Sequence, residues 1–110
     1  MAGIDSALPH GMLELLLLQA VARAPMHGYG IVMHVHEASN DLLRIEEGSV
    51  YPALHRLEQT GCLAAEWRTS EHNRRAKYYR LTRAGRRRLD EERVRWQRVA
   101  DGVARVLRFA

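Results

Sequence analysis

The segment EEGSVYPALHRLEQ, residues 46–59, decides how the rest of this 110-residue chain is interpreted. At about 100° per residue, its apolar side chains fall on one narrow stripe with the i, i+3, i+4, i+7 spacing of a helix that packs on a core. The stripe consists of Val50, Ala53, Leu54 and Leu57. Pro52 fits such a helix in its first turn, where no intrahelical hydrogen bond is lost. We therefore expect a helix that starts near Gly48 or Ser49.

The opposite side of this helix is polar and has an aromatic ring at its edge. The side chains there are Ser49, Tyr51, Pro52, His55, Arg56 and Gln59. This inventory suits the base edges and phosphates of a nucleic acid. The N-terminal turn is also the end that a recognition helix inserts into a major groove. The alternative is an ordinary amphipathic helix with a solvated polar face, so the surrounding sequence has to decide.

Positive charge is concentrated in the second half of the chain. Residues 66–98 hold twelve of the 17 lysines and arginines against five acidic residues, whereas residues 1–65 hold three basic and seven acidic residues. Segregated basic charge favours a polyanionic partner, because phosphate neutralisation drives sequence-independent binding to nucleic acids. A membrane surface is less favoured, since no basic helix with a bulky apolar face accompanies this charge.

The bulk composition is that of one globular domain, with 46% hydrophobic and 27% charged residues. No apolar segment approaches the roughly 20 residues that cross a bilayer, and the apolar run at 15–18 lacks the basic flank of a signal peptide. Cys62 has no partner for a disulfide and, next to Leu63, is better interpreted as a small buried hydrophobe than as a redox sensor. We expect a cytoplasmic protein without a membrane partner.

The chain before residue 46 predicts two further helices. Residues 1–10 lack periodicity and form a predicted loose arm. Residues 12–22 are apolar around most of the helical wheel, so this helix must be covered on more than one side, either by its own domain or by a second copy of the chain. The second helix opens at residues 27–29 and ends near Ala38. A turn at 39–41 and a short strand or connector at 42–45 precede the central helix.

After Gly61, a predicted helix C-cap, the apolar period changes from 3.6 to 2. Residues 63–68 and 77–81 alternate as two strands, joined by a long polar loop at 69–76 with a basic tip. Thr82 then caps a helix that can run to Phe109, about 40 Å at 1.5 Å per residue. This order is typical of a winged helix-turn-helix: a mainly α domain with a small β-hairpin, residues 1–82, and a C-terminal dimerisation helix, residues 83–110, in one structural unit.

The first and last helices supply the expected dimer contacts. Apolar positions along the last helix repeat at close to coiled-coil spacing, and its length exceeds what its own core needs. The predicted interface consists of Leu13, Leu16, Leu17, Leu89, Trp96, Val99, Val103 and Val106.

Three motifs in order closely resemble the PadR-type bacterial transcriptional regulators. They are MHGY at 26–29, EGSVYPALHRL at 47–57 and RRAKYYRLTRAG at 74–85. The resemblance covers roughly residues 8–107 and is to the short subgroup with a single C-terminal helix. It implies a homodimeric repressor that binds a pseudo-palindromic operator in double-stranded DNA, with its recognition helices in successive major grooves.

The resemblance also implies roles for individual residues. Ser49, Tyr51, Pro52, His55 and Arg56 would meet bases and phosphates, Tyr29 the DNA backbone, and Arg74, Arg75 and Lys77 of the wing the phosphates or the minor groove. Members of the family respond to phenolic acids, drugs or other small hydrophobic molecules, often at the dimer interface. Trp96 could stack on such an aromatic effector, or it could simply pack in the interface.

Other classes of function have less support in the sequence. His34 and His36 point in different directions on a helix, so they cannot bind one metal ion. His27 and His34 share a face, but no Cys or carboxylate at ligand spacing completes a metal site with them. No Gly-rich phosphate loop, nucleophile elbow or paired-carboxylate motif is present, so we predict no catalysis, cofactor or metal site. The main competitor is a winged-helix adaptor that binds another protein without reading DNA. The segregated basic charge and the polar helix face favour DNA.

Overall fold

A computed structural model describes Leu8 and residues 11–109 of the chain. The four helices and the two-stranded wing follow one another in the predicted order, which confirms the predicted fold class, and a third, short strand is added. The elements are α1 (Met12–Arg23), β1 (Met26–His27), α2 (Gly28–Ala38), α3 (Glu47–Gln59), β2 (Leu63–Thr69), β3 (Arg75–Leu81) and α4 (Arg83–Phe109). The predicted arm lies outside the described residues except for Leu8, which is half-buried against the core.

The sheet is antiparallel with the strand order β1-β3-β2, and β1 was not predicted. It pairs Met26 with Tyr79 and His27 with Tyr78, so the chain just before α2 is hydrogen-bonded to the wing. The hairpin is also longer than predicted, because Thr69 and Arg75 pair across it. Its turn therefore spans only residues 70–74.

A single core lies between α1, α2, α3 and the base of the sheet. The predicted apolar stripe of α3 is confirmed, since all four of its side chains are fully buried. The large side chains with the least exposure come from every helix and are Leu17, Leu18, Ile31, Val50, Leu54, Leu57 and Leu89. Burial of this stripe fixes which side of α3 faces outward.

Both predicted helix caps are confirmed, and each joins α3 or α4 to the wing. Gly61 has φ +80°, and the N–H groups of Gly61 and Cys62 donate to the carbonyls of Glu58 and Leu57, which closes α3 with a Schellman motif. At the start of α4, the Gly85 N–H donates to Thr82 Oγ1 at 3.0 Å. The wing is thus bounded by two well-defined helix ends.

The predicted position of Pro52 in the first turn of α3 is wrong. The helix begins at Glu47, so Pro52 is its sixth residue and lies in the second turn. The Ser49 and Val50 N–H groups already bond to the Glu46 carbonyl, so the helix starts one or two residues earlier than expected. Pro52 leaves the Gly48 carbonyl without its usual helical donor, but Gly48 is exposed, so water can serve that carbonyl.

The long helix α4 belongs to the core only at its start. There Arg88 Nη2 donates to Glu14 Oε1 on α1 at 2.8 Å, and Leu89 is fully buried. Beyond Trp96 the described side chains of α4 are exposed except for Ala100, which is half-buried. In the described part of the chain, the helices are all too short or too polar to span a membrane.

Candidate nucleic-acid interface

The outward side of α3 presents a continuous polar surface. Its five predicted contact residues, Ser49, Tyr51, Pro52, His55 and Arg56, are all exposed. They share this side because the buried stripe occupies the opposite one. The structure therefore brings the predicted helix residues together, with hydroxyl, imidazole and guanidinium groups that can donate to base edges or phosphates.

The N-terminus of α2 lies directly beside Tyr51. Gly28 is buried against the Tyr51 ring, and a Cβ at this position would overlap the ring carbons. Burial raises the pKa of Tyr51 above its ordinary value, and the carboxylate of Glu47 adds to this effect. Tyr29, the predicted backbone contact, is 56% exposed and adjoins Gly28. Close packing at a glycine thus places two phenol groups at one edge of the surface.

His27 has a structural role that the sequence did not reveal. Its Nδ1 accepts a hydrogen bond from the Gly30 N–H at 3.0 Å, which caps α2. The ring also meets Tyr78 edge to face, with 5.2 Å between the ring centroids. The signal was present in the sequence only as a polar residue before a helix.

The wing has two chemically different faces. Alternation along the paired strands places Trp67, Arg75, Lys77 and the buried Tyr79 on the face that continues into the core beside α3. On this inner face the Arg75 guanidinium lies over the Trp67 ring, 5.5 Å from its centroid. Trp67 is 59% exposed, and we did not predict it as part of the interface.

The outer face of the wing carries a separate ion pair, between Arg68 and Glu66. Arg68 donates to Glu66 at 2.9 Å and lies over the Tyr78 ring, 4.7 Å from its centroid.

The predicted wing residue Arg74 is exposed and closes the turn, where its carbonyl accepts from the Ser70 N–H. Arg74 and Arg75 are therefore accessible cations near α3.

Lys77 differs from these two arginines because its charge is already paired. Its Nζ donates to Glu58 Oε1 of α3 at 2.8 Å, and this hydrogen bond raises the pKa of Lys77 above its ordinary value. The ammonium also lies 5.5 Å from the centroid of Tyr79. Lys77 thus connects the wing to α3, and Glu58 is a site residue that sequence reasoning missed.

An open groove of about 750 Å³ separates the wing from the N-termini of α2 and α3. Aromatic rings and cations line it together, among them His27, Tyr29, Tyr51, Trp67, Arg74 and Arg75. This combination can bind phosphates through charge and sugars or bases through the ring faces. In the residues that the structure describes, no group of three or more His, Cys, Asp or Glu side chains is arranged to hold a metal ion.

The predicted dimer residues separate into buried and exposed sets. Leu17 and Leu89 are fully buried inside one protomer, so they have no surface for a partner and their predicted interface role is corrected. Leu13 and Leu16 are half-buried. The exposed set, on α4, consists of Trp96 at 43%, Val99 at 51%, Val103 at 52% and Val106 at 69%.

A small cavity of about 130 Å³ adjoins Trp96. It lies between the start of α1 and α4, and its lining includes Met12, Leu15, Glu92 and Val99. The predicted effector site at Trp96 thus coincides with a mainly apolar recess that is bordered by the ion pair of Glu92 and Arg95. Its volume in the single chain suits only a few heavy atoms, so a drug-sized molecule would need walls from a second chain.

Comparisons with known proteins agree with this geometry. The Transcriptional regulator PadR-like family matches residues 17–91. The transcriptional regulator Rv3488 of Mycobacterium tuberculosis is 36% identical over 90 residues, which cover 82% of this chain and 80% of that protein.

Solved structures are similar over nearly the whole described chain. A PadR family transcriptional regulator from Eggerthella lenta has a TM-score of 0.71 and 35% identity, covering 87% of this chain and 80% of that one. A transcriptional regulator from Clostridium thermocellum has a TM-score of 0.81 over 93% of this chain and 96% of that one, and at 24% identity it supports the fold alone. The family match and the relatives above 30% identity together show that this chain belongs to the PadR-like family of transcriptional regulators.

Proposed function

We propose that this regulator is a homodimeric repressor that binds a pseudo-palindromic operator, with α3 of each protomer in a major groove. The observation that carries the proposal is the outward face of α3. The five predicted contact residues on this face are all exposed, while a fully buried stripe holds the helix in place behind them. A rigid helix with an exposed polar N-terminal half is suited to read base edges.

Accessible groups around α3 supply the contacts to the backbone of the DNA. Arg74 and Arg75 on the wing and Tyr29 at the start of α2 lie along the groove beside Tyr51. In this arrangement His55 and Arg56 meet bases or phosphates from the helix, and the wing follows the adjacent backbone. Phosphate contacts set the register on the duplex, and base contacts set the sequence.

Dimerisation is proposed from the exposed apolar stripe of α4. When two protomers pair, this stripe is removed from water together with the half-exposed leucines of α1. The stripe consists of Trp96, Val99, Val103 and Val106, and the leucines are Leu13 and Leu16. A two-fold dimer of this kind sets the two recognition helices about one DNA turn apart, ~34 Å. The palindromic operator follows from that symmetry.

A small hydrophobic or aromatic effector is proposed to act beside Trp96. The recess next to this ring lies between α1 and α4, the two helices of the proposed interface. A molecule that binds there better in one dimer arrangement than in another shifts the population between them and changes the separation of the α3 helices. Release from the operator follows when that separation no longer matches the DNA.

Fluorescence anisotropy tests the central part of this proposal. The protein is titrated against the DNA upstream of its own gene and against a scrambled duplex at several salt concentrations. We expect binding to the first to be at least ~10³ tighter, with saturation at two protomers per site. Equal, salt-sensitive binding to both duplexes would reject the first as an operator, and a failure to select any site from a random library would favour the protein adaptor.

Arg56→Ala refines the role of the helix. We expect it to weaken operator binding by about 1–3 kcal/mol, with much less effect on the scrambled duplex, because a base contact contributes to specific binding alone. Equal losses on both duplexes would instead assign Arg56 to a phosphate. Gln59→Ala, on the same exposed side but at the C-terminal end of α3, is the matched control.

A further inference from the structure

One ion pair joins the recognition helix directly to the wing. Glu58 Oε1 on α3 accepts from Lys77 Nζ on β3 at 2.8 Å, although the two residues are 19 positions apart in the chain. Each side chain is about one-third exposed, at 32% and 33%. The pair is therefore screened less than a fully solvated one, yet water and ligands can still reach it.

Glu58 lies on the wing-facing edge of the proposed reading surface. It follows Tyr51 and His55 at i, i+4 and i+7 spacing, so the three share one row along α3. A free carboxylate in this row would repel the DNA backbone. Lys77 neutralises it, and Glu58 in turn neutralises a cation that would otherwise be available to any phosphate.

The surroundings of Lys77 support a fixed position for its ammonium. Its cross-strand partner is Trp67, and Nζ lies 5.5 Å from the Tyr79 ring centroid. The neighbouring Arg75, by contrast, stacks on Trp67 and has no carboxylate partner among its described contacts. Two basic residues on one strand face therefore have different tasks: Arg75 is accessible to phosphate, and Lys77 is held by α3.

We propose that Glu58 is a specificity-determining residue of the DNA interface, which withholds Lys77 from phosphate and holds the wing in position over α3. The inference rests on the proposed function. Withholding one cation lowers affinity for all sequences alike, whereas fixing the wing relative to α3 favours the sequence that both fit together. The pair thus increases the ratio of specific to non-specific binding.

Glu58→Gln is the decisive variant, because it removes the carboxylate charge at nearly constant size. Lys77 is then free to neutralise one more phosphate. On a scrambled duplex we expect the slope of log affinity against log salt to steepen by ~0.9, so that the loss of affinity between about 50 and 200 mM salt grows about 3.5-fold. Affinity for this duplex rises at low salt, and the preference for the operator falls.

Glu66→Gln is the matched control for net charge. It also raises the charge of the chain by one and frees an arginine, Arg68, whose pair lies on the outer face of the same hairpin. We expect less than half of the slope change seen with Glu58→Gln. Equal changes in the two variants would overturn the inference, since overall charge alone would then explain them.

The double variant Glu58→Gln with Lys77→Met separates the two possible tasks of Lys77. With both charges removed, the inference predicts the wild-type salt slope. A slope shallower than wild type by about one phosphate contact would show that Lys77 already binds phosphate, and would overturn the inference. Thermal unfolding of every variant establishes that it is folded.

The wild-type arm separates failure of this inference from failure of the proposed function. If wild type has no preference for any DNA site, the proposed function fails, and this inference with it. If wild type is selective but Glu58→Gln leaves both the salt slope and the preference unchanged, only the role of Glu58 is overturned.

Discussion

Helix α3 and the outer half of α4, residues 96–108, carry similar apolar stripes, but one is buried and the other exposed. In α3 the stripe is fully buried and the polar side is exposed. In the outer half of α4 the stripe itself is exposed, from Trp96 at 43% to Val106 at 69%. Helical periodicity predicts that an apolar stripe is buried, but it does not predict which element buries it.

Helix α4 alone contains both a buried and an exposed part of one apolar stripe. Leu89 and Trp96 are seven residues apart and lie within about 20° of each other on the helical wheel, so they belong to one stripe. Leu89 is fully buried in the core, whereas Trp96 borders the start of α1. The stripe therefore continues past the last element of the protomer that can bury it, and a second copy is the partner that we propose for the remainder.

The largest expected effect is on the buried stripe of α3. Leu54→Ala removes a fully buried side chain from the centre of the core, and we expect the free energy of unfolding to fall by about 2–5 kcal/mol. Urea unfolding at one fixed protein concentration measures it. His55→Ala, the exposed neighbour, should change stability by less than ~0.5 kcal/mol. Similar losses in both variants would contradict the assigned orientation of α3.

A charge in the exposed stripe of α4 should have the next largest effect. Val99→Asp places a carboxylate in the proposed dimer contact, and we expect the dimer dissociation constant to rise about 100-fold or more, since an unpaired buried charge is costly. Sedimentation across a concentration series measures it, and Trp96→Ala should act in the same direction. Val94→Asp is the control, because Val94 is also exposed, at 62%, but lies on the opposite side of α4.

Loss of dimerisation in the control as strongly as in Val99→Asp would place the interface elsewhere. Circular dichroism distinguishes a monomer from an unfolded chain, because α4 is anchored through Leu89 and the Arg88 pair, which neither variant touches. The expected product is a folded monomer with weakened operator binding.

The sequence predicted those features that depend on local signals. Gly61 is predicted as a C-cap because helices often end with a glycine in the left-handed conformation. Thr82 is predicted as an N-cap because its hydroxyl can accept from a backbone N–H two or three residues later. The stripes of α3 and α4 followed from spacing alone. These features need no knowledge of what the helix packs against.

Features that depend on tertiary contacts were missed. Strand β1 has only two residues, too few for a period-2 pattern, and exists because β3 lies beside it. The Glu58–Lys77 pair joins residues that no local rule relates. In α1 nearly every position is apolar, so periodicity could not tell the buried Leu17 from the half-exposed Leu16.

A pair of glycines tests how the exposed polar surface of α3, which we propose reads DNA, is held in place. Gly28→Ala inserts a methyl group against the Tyr51 ring, and since the ring can swing outward we expect a loss of only about 1 kcal/mol, the low end of the range for overpacking. Gly48→Ala meets no atom within 4 Å and should instead stabilise α3 by up to about 1 kcal/mol. Thermal unfolding measures both.

The Tyr51→Ala background shows whether contact with the Tyr51 ring causes the loss of stability in Gly28→Ala. If it is, Gly28→Ala should cost almost nothing there, because the group that it displaces is gone. An undiminished cost would mean that the alanine disturbs the backbone of α2 rather than Tyr51, and the close approach of α2 to α3 would not depend on this contact.

The smallest expected effect is the contribution of the Glu58–Lys77 pair to stability at high pH. The hydrogen bond to Glu58 raises the pKa of Lys77 in the folded state. The pair is therefore fully stabilising below the unfolded pKa of about 10.4, and its contribution is lost as the pH rises through the folded value. With both side chains one-third exposed, we expect less than ~1 kcal/mol.

Tyr51 and Tyr79 also have pKa values raised by burial, so wild type loses stability over the same alkaline range for a second reason. The difference in unfolding free energy between wild type and Glu58→Gln removes most of that shared contribution. We expect this difference to be constant near neutral pH and to shrink toward zero above the folded pKa of Lys77. A difference that persists above this pKa would mean that Glu58 stabilises the wing through packing rather than through its attraction to the charge on Lys77.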